Sequence, residues 1–220
     1  MFVNEDKIII DTIEVAGFTT AITGMRNPLD SWDRCDSYVD YPTSNGEGFV
    51  LGSNDLALAQ KLIKGGSEHC KFLRQIYVGA NFTLPRYVWS EFDTYGFNVK
   101  NSCSTMHTLL SKKKPLTMDM FVYFDSCGYL IKDSVSTINL LAQCYRGERI
   151  TKASKTDLKR MAKQVLPEGF LQKRTVSTNY AELRNMYKQR KNHQLVEWNK
   201  YFVDWVKTLP YAEELIIYEN

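Results

Sequence analysis

The alternation of apolar and polar positions predicts strands early in the chain. Residues 7–17, KIIIDTIEVAG, are rich in β-branched residues and end at a glycine, which predicts a short strand. The run NDLALAQKLIKGG has apolar residues at helical spacing and a terminal glycine pair, which predicts a helix with Ser53 or Asn54 as its N-cap. KFLRQIYVGANFTL is rich in aromatic and β-branched residues and predicts a second strand. LPRYVWSEF then predicts a short helix that begins near Pro85.

The second half of the chain has mainly helical periodicity. DSVSTINLLAQCYRGER and KTDLKRMAKQVLP each predict a helix, and Pro167 ends the second one. The segment TVSTNYAELRNMYKQRKNHQLVEWNKYFVDWVKTLP predicts one long helix, or two abutting helices, ending before Pro210. The polar segment from about Arg26 to Glu47, which contains SWDRCD and YPTSNGEG, predicts an irregular, turn-rich region. The pattern therefore predicts a single α+β domain over residues 1–220, with a small antiparallel sheet and a long C-terminal helical region.

A polar stripe accompanies the apolar face of the predicted long helix. At about 100° per residue, Asn179, Arg190 and Glu197 point nearly the same way, and His193 lies slightly aside. One interpretation is a set of polar pairs at the edge of a buried face. The other is that Arg190 binds an anion or a carbonyl edge through two hydrogen bonds and is oriented by Glu197 or His193. The periodicity leaves both interpretations open.

Composition narrows the class of ligand and the compartment. The net charge of +3, from 28 basic and 25 acidic residues, is too small to indicate a duplex nucleic-acid binder, but it suits a small anionic ligand. The acidic N-terminus lacks the pattern of a signal peptide, and no apolar run approaches the ~20 residues that span a bilayer. Five cysteines without a CxxC pair indicate reduced thiols. We therefore expect a cytoplasmic protein that does not enter membranes.

The polar stretch SEFDTYGFNVKNSCSTMH, residues 90–107, raises the question of a metal site. Cys103 and His107 share one helical face, and His69 with Cys70 offers two more soft ligands. An adjacent His–Cys pair is unusual spacing for zinc, so we expect no metal. The basic run SKKKP, residues 111–115, is expected to be a solvated loop, with phosphate binding as the less favoured alternative.

The C-terminal run LKRMAKQVLPEGFLQKRTVSTNYAELRNMYKQRKNHQLVEW resembles the closing region of the flavin-dependent thymidylate synthases. That family has an A-x-x-x-LP helix end, an Asn in the crossover, and then L-x(6)-R followed by His and Glu. The matching residues here are Ala162, Leu166 and Pro167, followed by Asn179, Leu183, Arg190, His193 and Glu197.

The earlier half is similar to the same family at lower specificity. LIKGGSEHCKFLRQIYV is similar to a glycine-His segment that enters the family's sheet. In the ungapped continuation, the Arg-His-Arg signature of the family falls on Asp93, Thr94 and Tyr95. The next motif of the family, N-E-x-S-x-R-Y, begins at Asn101, and the chain keeps Asn101 and Ser104 from it. Both signature arginines are therefore replaced.

The resemblance implies an α+β homotetramer that binds a pyrimidine nucleotide, such as dUMP, and transfers a one-carbon unit to C5 of its base. It implies FAD as cofactor, with NADPH and methylene-tetrahydrofolate as co-substrates. The replaced arginines imply a divergent member, with positive charge from other residues. A different class of function, a catalytically inactive oligomeric binding protein with an aromatic interface over residues 195–209, also fits the sequence. The expected nucleotide-binding residues are Arg190, Ser104 and Arg86, and the expected cofactor-binding residues are Asn179, His193, Glu197, Arg74, Tyr95 and Asn101; Arg174 is a further source of replacement charge.

Overall fold

The computed structural model describes the backbone of residues 1–43 and 46–219 and the side chains of residues 1–40 and 48–219. The fold is α+β, with small antiparallel sheets and helices concentrated toward the C-terminus. The strands are β1 Phe2–Val3, β2 Ile9–Ala16, β3 Tyr38–Thr43, β4 Gly46–Val50, β5 Tyr77–Pro85, β6 Val99–Ser102, β7 Tyr123–Phe124 and β8 Leu171–Asn179. The α-helices are α1 Phe18–Arg26, α2 Ser53–Lys64, α3 Arg86–Phe92, α4 Thr105–Thr108, α5 Gly128–Tyr145, α6 Lys155–Val165, α7 Tyr180–Arg190 and α8 Val203–Lys207.

The strands of the described residues form three sheets. The largest has the order β2-β5-β8-β6, so its central strands come from distant parts of the chain. β1 pairs with β7, with Phe2 opposite Phe124, and both pairs of short strands are antiparallel. β3 and β4 pair through residues such as Val39 and Phe49. β3 and the start of β4 lie within the segment from about Arg26 to Glu47 that the sequence predicts to be irregular, so that prediction was wrong for these strands. Ser44 and Asn45 of the same segment lie outside the described residues.

The chain groups into two compact units made of discontinuous segments. The first unit contains Met1–Ile9, Phe82–Thr94 and Asn101–Arg174, and the second contains Ile10–Asn81, Tyr95–Lys100 and Thr175–Asn220. The single-domain organisation that the sequence suggests stays a prediction.

The first unit has a core of aliphatic and aromatic side chains between α5 and α6. The apolar positions of these helices recur at three- and four-residue spacing and face each other, as amphipathic helices require. Trp89 adds an aromatic contact between α3 and β5 through Phe82, with ring centroids 6.2 Å apart. The fully formed core cluster contains Leu110, Phe121, Val135, Ile138, Ala142, Leu158, Ala162 and Leu166.

The second unit places a short turn against α1 and α7. A 3-10 helix covers Lys71–Gln75, and Gly17 packs closely on it. Gly17 has a φ of +95°, and a Cβ atom there would lie 2.2 Å from the carbonyl oxygen of Gln75. Only glycine combines this conformation with this approach. The backbone N–H of Tyr180 donates to the carbonyl of Ile76 at 3.1 Å, which fixes the start of α7 beside the same turn.

Several predicted elements are confirmed. A strand occupies Ile9–Ala16, helices occupy Ser53–Lys64, Gly128–Tyr145 and Lys155–Val165, and a short helix follows Pro85. The SKKKP run lies in an exposed loop.

Three local predictions were wrong. The N-cap of α2 is Gly52, because Asp36 accepts the N–H groups of Asn54 and Asp55 at 2.8 and 3.0 Å and replaces a local cap. The predicted strand at KFLRQ is the 3-10 turn Lys71–Gln75, and the strand begins only at Tyr77. The start of the predicted long helix is strand β8, whose Val176 and Thr178 alternate with more exposed neighbours in the period of two typical of strands.

The C-terminal helical region is also interrupted. α7 ends at Arg190, and a π-helical turn begins only at Glu197. Between them, the N–H of Leu195 donates to Nδ1 of His193 at 3.1 Å, so a side chain replaces the helical acceptor of that group. The polar stripe computed for a continuous helix therefore does not exist.

Candidate functional site

Asn179 lies at the junction of β8 and α7. Its backbone is extended, and its side-chain oxygen accepts the N–H of Glu182 at 3.0 Å, so it is the N-cap of α7. An asparagine is among the residues that cap helices best, since a short side chain reaches the first unpaired N–H groups. The cap leaves the amide nitrogen of Asn179 as a donor. This predicted cofactor ligand therefore has a defined structural role as well.

A cavity of about 230 Å³ adjoins this cap. Its wall combines polar side chains of α7 with residues around the Lys71–Gln75 turn and one aromatic residue. Two residues predicted to bind the cofactor, Arg74 and Asn179, lie on this wall together. The lining residues are Ser67, Cys70, Arg74, Phe97, Asn179, Ala181, Glu182, Arg184 and Asn185.

Two buried charged residues of α7 contribute to the cavity. Glu182 is 5% exposed and Arg184 is 8% exposed. Burial raises the pKa of the Glu182 carboxyl, against the opposing effect of hydrogen bonds from Phe97 and Asn185. Burial also lowers the pKa of the Arg184 guanidinium, and Nη1 of that group donates to the carbonyl of Ile216 at 2.7 Å. The wall of the cavity therefore contains one carboxyl group and one guanidinium group, and both are buried.

Arg74 and Phe97 connect this cavity to a second one of about 400 Å³. Both cavities include Arg74, Phe97 and Asn179 in their walls. The guanidinium carbon of Arg74 lies 5.9 Å from the centre of the Phe97 ring. Phe97 is 68% exposed, an unusual position for so large an apolar ring unless it contacts a ligand or partner. A cation and an aromatic face therefore lie side by side at the cavity mouths.

Arg190, at the end of α7, is held by aromatic residues. Its Nε donates to the hydroxyl of Tyr95 at 2.7 Å, and its guanidinium carbon lies 4.6 Å from the centre of the Trp198 ring. The hydroxyl of Tyr95 in turn donates to the side-chain oxygen of Gln189 at 3.1 Å. Tyr95 occupies a position of the family's arginine signature, and here its buried ring orients an arginine of the same unit. The structure thus brings Arg190 and Tyr95 together.

His193 and Glu197 do not share a helix with Arg190. His193 lies in the loop after α7, and the N–H of Leu195 donates to its Nδ1. Glu197 is buried and begins the π-helical turn Glu197–Phe202. The predicted alignment of these three side chains along one helix was therefore wrong, whereas their roles as ligands stay predictions.

Three expected site residues lie in the first unit. Arg86 begins α3, pairs with Glu168 at 3.1 Å and donates to the carbonyl of Leu166. Ser104 precedes α4, and its carbonyl accepts the N–H and the hydroxyl of Thr108. Asn101 is an exposed residue of β6.

The signature position Asp93 also lies in the first unit. Both of its carboxylate oxygens accept from Nη1 of Arg174, at 3.0 and 3.1 Å, and the guanidinium of Arg174 lies 4.3 Å from the centre of the Trp89 ring. Arg174, a possible source of replacement charge, is therefore neutralised by the acid that stands in place of a signature arginine.

The first unit has its own cavity of about 340 Å³ next to Ser104. Residues on both sides of Ser104, Cys103 and Thr105, line it, and Gln172 donates to the carbonyl of Cys103 at 2.8 Å. Lysines of the SKKKP loop and of β8 line this cavity, namely Lys112, Lys114 and Lys173. Its apolar lining residues are Leu109, Leu116, Met120 and Phe170.

Sequence reasoning missed Glu182 and Arg184. A signal was present, since Tyr180, Leu183, Arg184 and Tyr187 follow the i, i+3, i+4, i+7 spacing of one buried helix face. The predicted helix begins at Thr175, five residues before α7 begins at Tyr180, so the start of this buried face was not identified.

Within the described residues, no three or more His, Cys, Asp or Glu side chains are grouped so as to hold a metal ion. The same part of the chain contains no helix that is long and apolar enough to cross a membrane. The five cysteines are free thiols.

Comparison of the whole fold with solved structures identifies its class: the chain has the fold of the flavin-dependent thymidylate synthases. Thymidylate synthase X from Helicobacter pylori, in a crystal structure with FAD and dUMP, matches with a TM-score of 0.68 and 17% identity, over 95% of this chain and 97% of that one. A second crystal structure of the same enzyme with FAD and dUMP matches with a TM-score of 0.67 and 18% identity, over 94% and 97%. No protein-family model matches the chain, and no curated protein is significantly similar in sequence.

Proposed function

We propose that this protein binds a pyrimidine nucleotide, dUMP or a related deoxynucleotide, together with a flavin, and transfers a one-carbon unit to C5 of the base. The observation that carries this proposal is the fold similarity, over 95% of the chain, to an enzyme solved with FAD and dUMP. The motif residue Asn179 and the expected cofactor-binding residue Arg74 support it locally, because they line one cavity beside an exposed aromatic ring.

The residues of this groove fit a flavin nucleotide in kind. Phe97 offers a face for a planar ring, and the amides of Asn179 and Asn185 offer hydrogen bonds to a polar ring edge. Arg74 offers positive charge for a phosphate. FAD, when bound, would supply the hydride chemistry, with methylene-tetrahydrofolate as the carbon source and NADPH as the reductant. The protein would bind, orient and desolvate the reactants.

Arg190 is the residue that we assign to nucleotide recognition. Stacking on Trp198 and the bond to Tyr95 reduce the freedom of the guanidinium, so less entropy is lost when it binds a carbonyl or phosphate. In the first unit, the lysine-lined cavity beside Ser104 suits the monophosphate of a nucleotide, and its apolar floor suits a sugar or base. Asn101, Arg86, His193 and Glu197 complete the proposed set of ligand contacts. A cytoplasmic homotetramer is the proposed form of the protein.

A second candidate function is nucleotide or partner binding without catalysis. The observation in its favour is that the two residues at the positions of the signature arginines carry no positive charge. Asp93 neutralises Arg174, and Tyr95 is buried against Arg190. Neither position places a cation where the family has one. An inactive oligomeric protein of this fold would keep the core and lose the flavin.

The visible absorption spectrum separates the two candidates. A purified protein that carries flavin bands at ~370 and ~450 nm, or acquires them after FAD is added and excess FAD is removed by gel filtration, supports the enzyme. A colourless protein that does not retain added FAD supports the inactive binding protein. Turnover of dUMP, or of dCMP as the alternative pyrimidine nucleotide, is then measured through the release of the hydrogen at C5 of the base.

Substitution of Arg190 tests nucleotide recognition. Arg190→Ala is expected to abolish the rise in melting temperature that dUMP gives to the wild type, while the fold stays intact by circular dichroism. Arg190→Lys keeps the charge and is expected to recover only part of the effect, because it lacks the planar fork. An unchanged dUMP effect in Arg190→Ala would remove Arg190 from the nucleotide site.

A further inference from the structure

Two arginines on the wall of the cavity beside the Asn179 cap, Arg74 and Arg184, have no acidic partner within the described part of the chain. Among the described side chains, neither Arg74 nor Arg184 forms an ion pair with a carboxylate. Arg184 is 8% exposed, and its one hydrogen bond within the described residues goes to the carbonyl of Ile216. A buried cation is normally paired, because leaving it alone in a weakly hydrated setting is costly.

Other arginines show how this chain usually satisfies the group. Arg26 pairs with Asp55 at 2.6 Å, Arg86 with Glu168 at 3.1 Å, Arg146 with Glu148 at 2.7 Å and Arg174 with Asp93 at 3.0 Å. Arg184, at 8% exposed, is more buried than all of these except Arg26, at 3%, yet a backbone carbonyl takes the place of the acid.

The unpaired nitrogens of Arg184 are accessible. Among the described residues, Nη2 of Arg26 is the one side-chain nitrogen or oxygen that is fully buried and has no hydrogen-bond partner. The remaining nitrogens of Arg184 therefore reach accessible space, and the cavity that Arg184 lines is about 230 Å³. Arg74 is an exposed residue on the wall of the same cavity.

The other charged or ionisable groups near Arg184 do not neutralise this site. Glu182 lies on the same wall, but its carboxyl is engaged by Phe97 and Asn185. Glu219 influences Arg184 from outside ion-pair distance and is itself paired with Lys191. Two cations against one engaged carboxylate leave the cavity net positive.

We infer that this cavity is a phosphate-binding subsite, in which Arg184 and Arg74 hold the phosphate of a nucleotide ligand and Phe97 lies beside the attached group. The inference depends on the proposed function only for the source of that phosphate, which is the diphosphate of FAD or the monophosphate of dUMP.

The test measures binding of pyrophosphate, FAD and dUMP to the full-length protein by calorimetry. Arg184→Gln is expected to lower the affinity for the phosphate ligand ~10- to 100-fold, which is the loss typical of a charge-assisted hydrogen bond. Arg74→Gln is expected to lower the affinity less, because Arg74 is exposed. Arg160→Gln removes the same charge from an exposed position of α6 and is expected to change nothing. Because Arg74 is on the surface, its variant remains informative even where Arg184→Gln folds poorly.

The pattern across ligands identifies the phosphate source. Parallel weakening of pyrophosphate and FAD assigns the subsite to the dinucleotide, and weakening of dUMP assigns it to the substrate. Pyrophosphate binding that depends on Arg184 in a protein that takes neither FAD nor dUMP would sustain the subsite and refute the proposed function. The subsite itself is refuted if the wild-type protein binds none of the three ligands. It is also refuted if Arg184→Gln and Arg74→Gln both bind as tightly as the wild type, or if Arg160→Gln loses as much affinity as they do.

Discussion

Two buried arginines of the second unit, Arg26 and Arg184, are satisfied in opposite ways. Arg26 donates to Asp55 at 2.6 Å and to the carbonyl of Ser31 at 3.2 Å. Asp55 is fully buried and also accepts from Ser37, through both its N–H and its hydroxyl. Burial opposes ionisation of Asp55, but these hydrogen bonds and that of Cys35 outweigh it and lower the pKa of the carboxyl. Apart from Nη2 of Arg26, which is buried without a partner among the described residues, the pair forms a closed network.

Arg184 has no such network. Its charge faces a cavity and a single carbonyl, and burial lowers the pKa of its guanidinium. The difference teaches that burial of a charge does not reveal its role; the partner does. Where the fold supplies a carboxylate, the arginine holds segments together, and where it supplies open space, the arginine is free to hold a ligand.

The largest expected effect comes from opening the closed network. Asp55→Ala leaves the Arg26 charge buried without its acid, and we expect the free energy of unfolding to fall by about 3–5 kcal/mol. Urea denaturation followed by circular dichroism measures this loss. The double variant Arg26→Met, Asp55→Leu removes both charges and is expected to recover only part of the stability, because the N–H groups of Asp36 and Ser37 still lose their acceptor. A loss below ~1 kcal/mol in Asp55→Ala would mean that Arg26 finds another anion or water.

The contrast between these arginines also marks what the sequence could reveal. Helical spacing located α2, α5 and α6, because each buries one face against its own unit. The motif around Asn179 and Arg190 indicated the fold, and Asn179 lies in a candidate cavity. Local patterns sufficed where a segment's own periodicity decides its structure.

Other features depend on residues far apart in the chain. The end of the strand Leu171–Asn179 contains the β-branched residues Thr175, Val176 and Thr178, which favour a strand, but the predicted long helix was extended back to Thr175. The strand is paired between β5 and β6, and these partners cannot be located from the local sequence. The partner of Arg26 is 29 residues away, and that of Arg174 is 81 residues away. No spacing rule distinguishes these paired arginines from Arg184, so the sequence alone could not select the one that faces a cavity.

Asn179 combines the two kinds of role, and a matched cap separates them. Asn179→Ala removes the N-cap of α7, and Ser154→Ala removes that of α6, where the serine hydroxyl accepts the N–H of Asp157 at 3.1 Å. Each variant is expected to lose ~1 kcal/mol of unfolding free energy. Calorimetric titration with FAD should then show weaker binding in Asn179→Ala alone. Equal FAD affinity in both variants would confine Asn179 to capping.

The smallest expected effect concerns Glu182, the acid that shares the cavity with Arg184. Burial raises the pKa of its carboxyl above the ordinary value of about 4.3, so the folded state holds a proton that the unfolded state has released. Stability should therefore fall as pH rises from about 4.3 through the folded-state pKa, and Glu182→Gln should remove this slope. Glu219 provides a control of opposite sign, because Lys191 lowers its pKa and its stabilisation is lost as pH falls. Urea denaturation between pH 4 and 8 measures both slopes. A Glu182→Gln curve parallel to the wild type would show that the carboxyl is as well solvated as a surface acid, and the low-dielectric character assigned to the cavity would then be wrong.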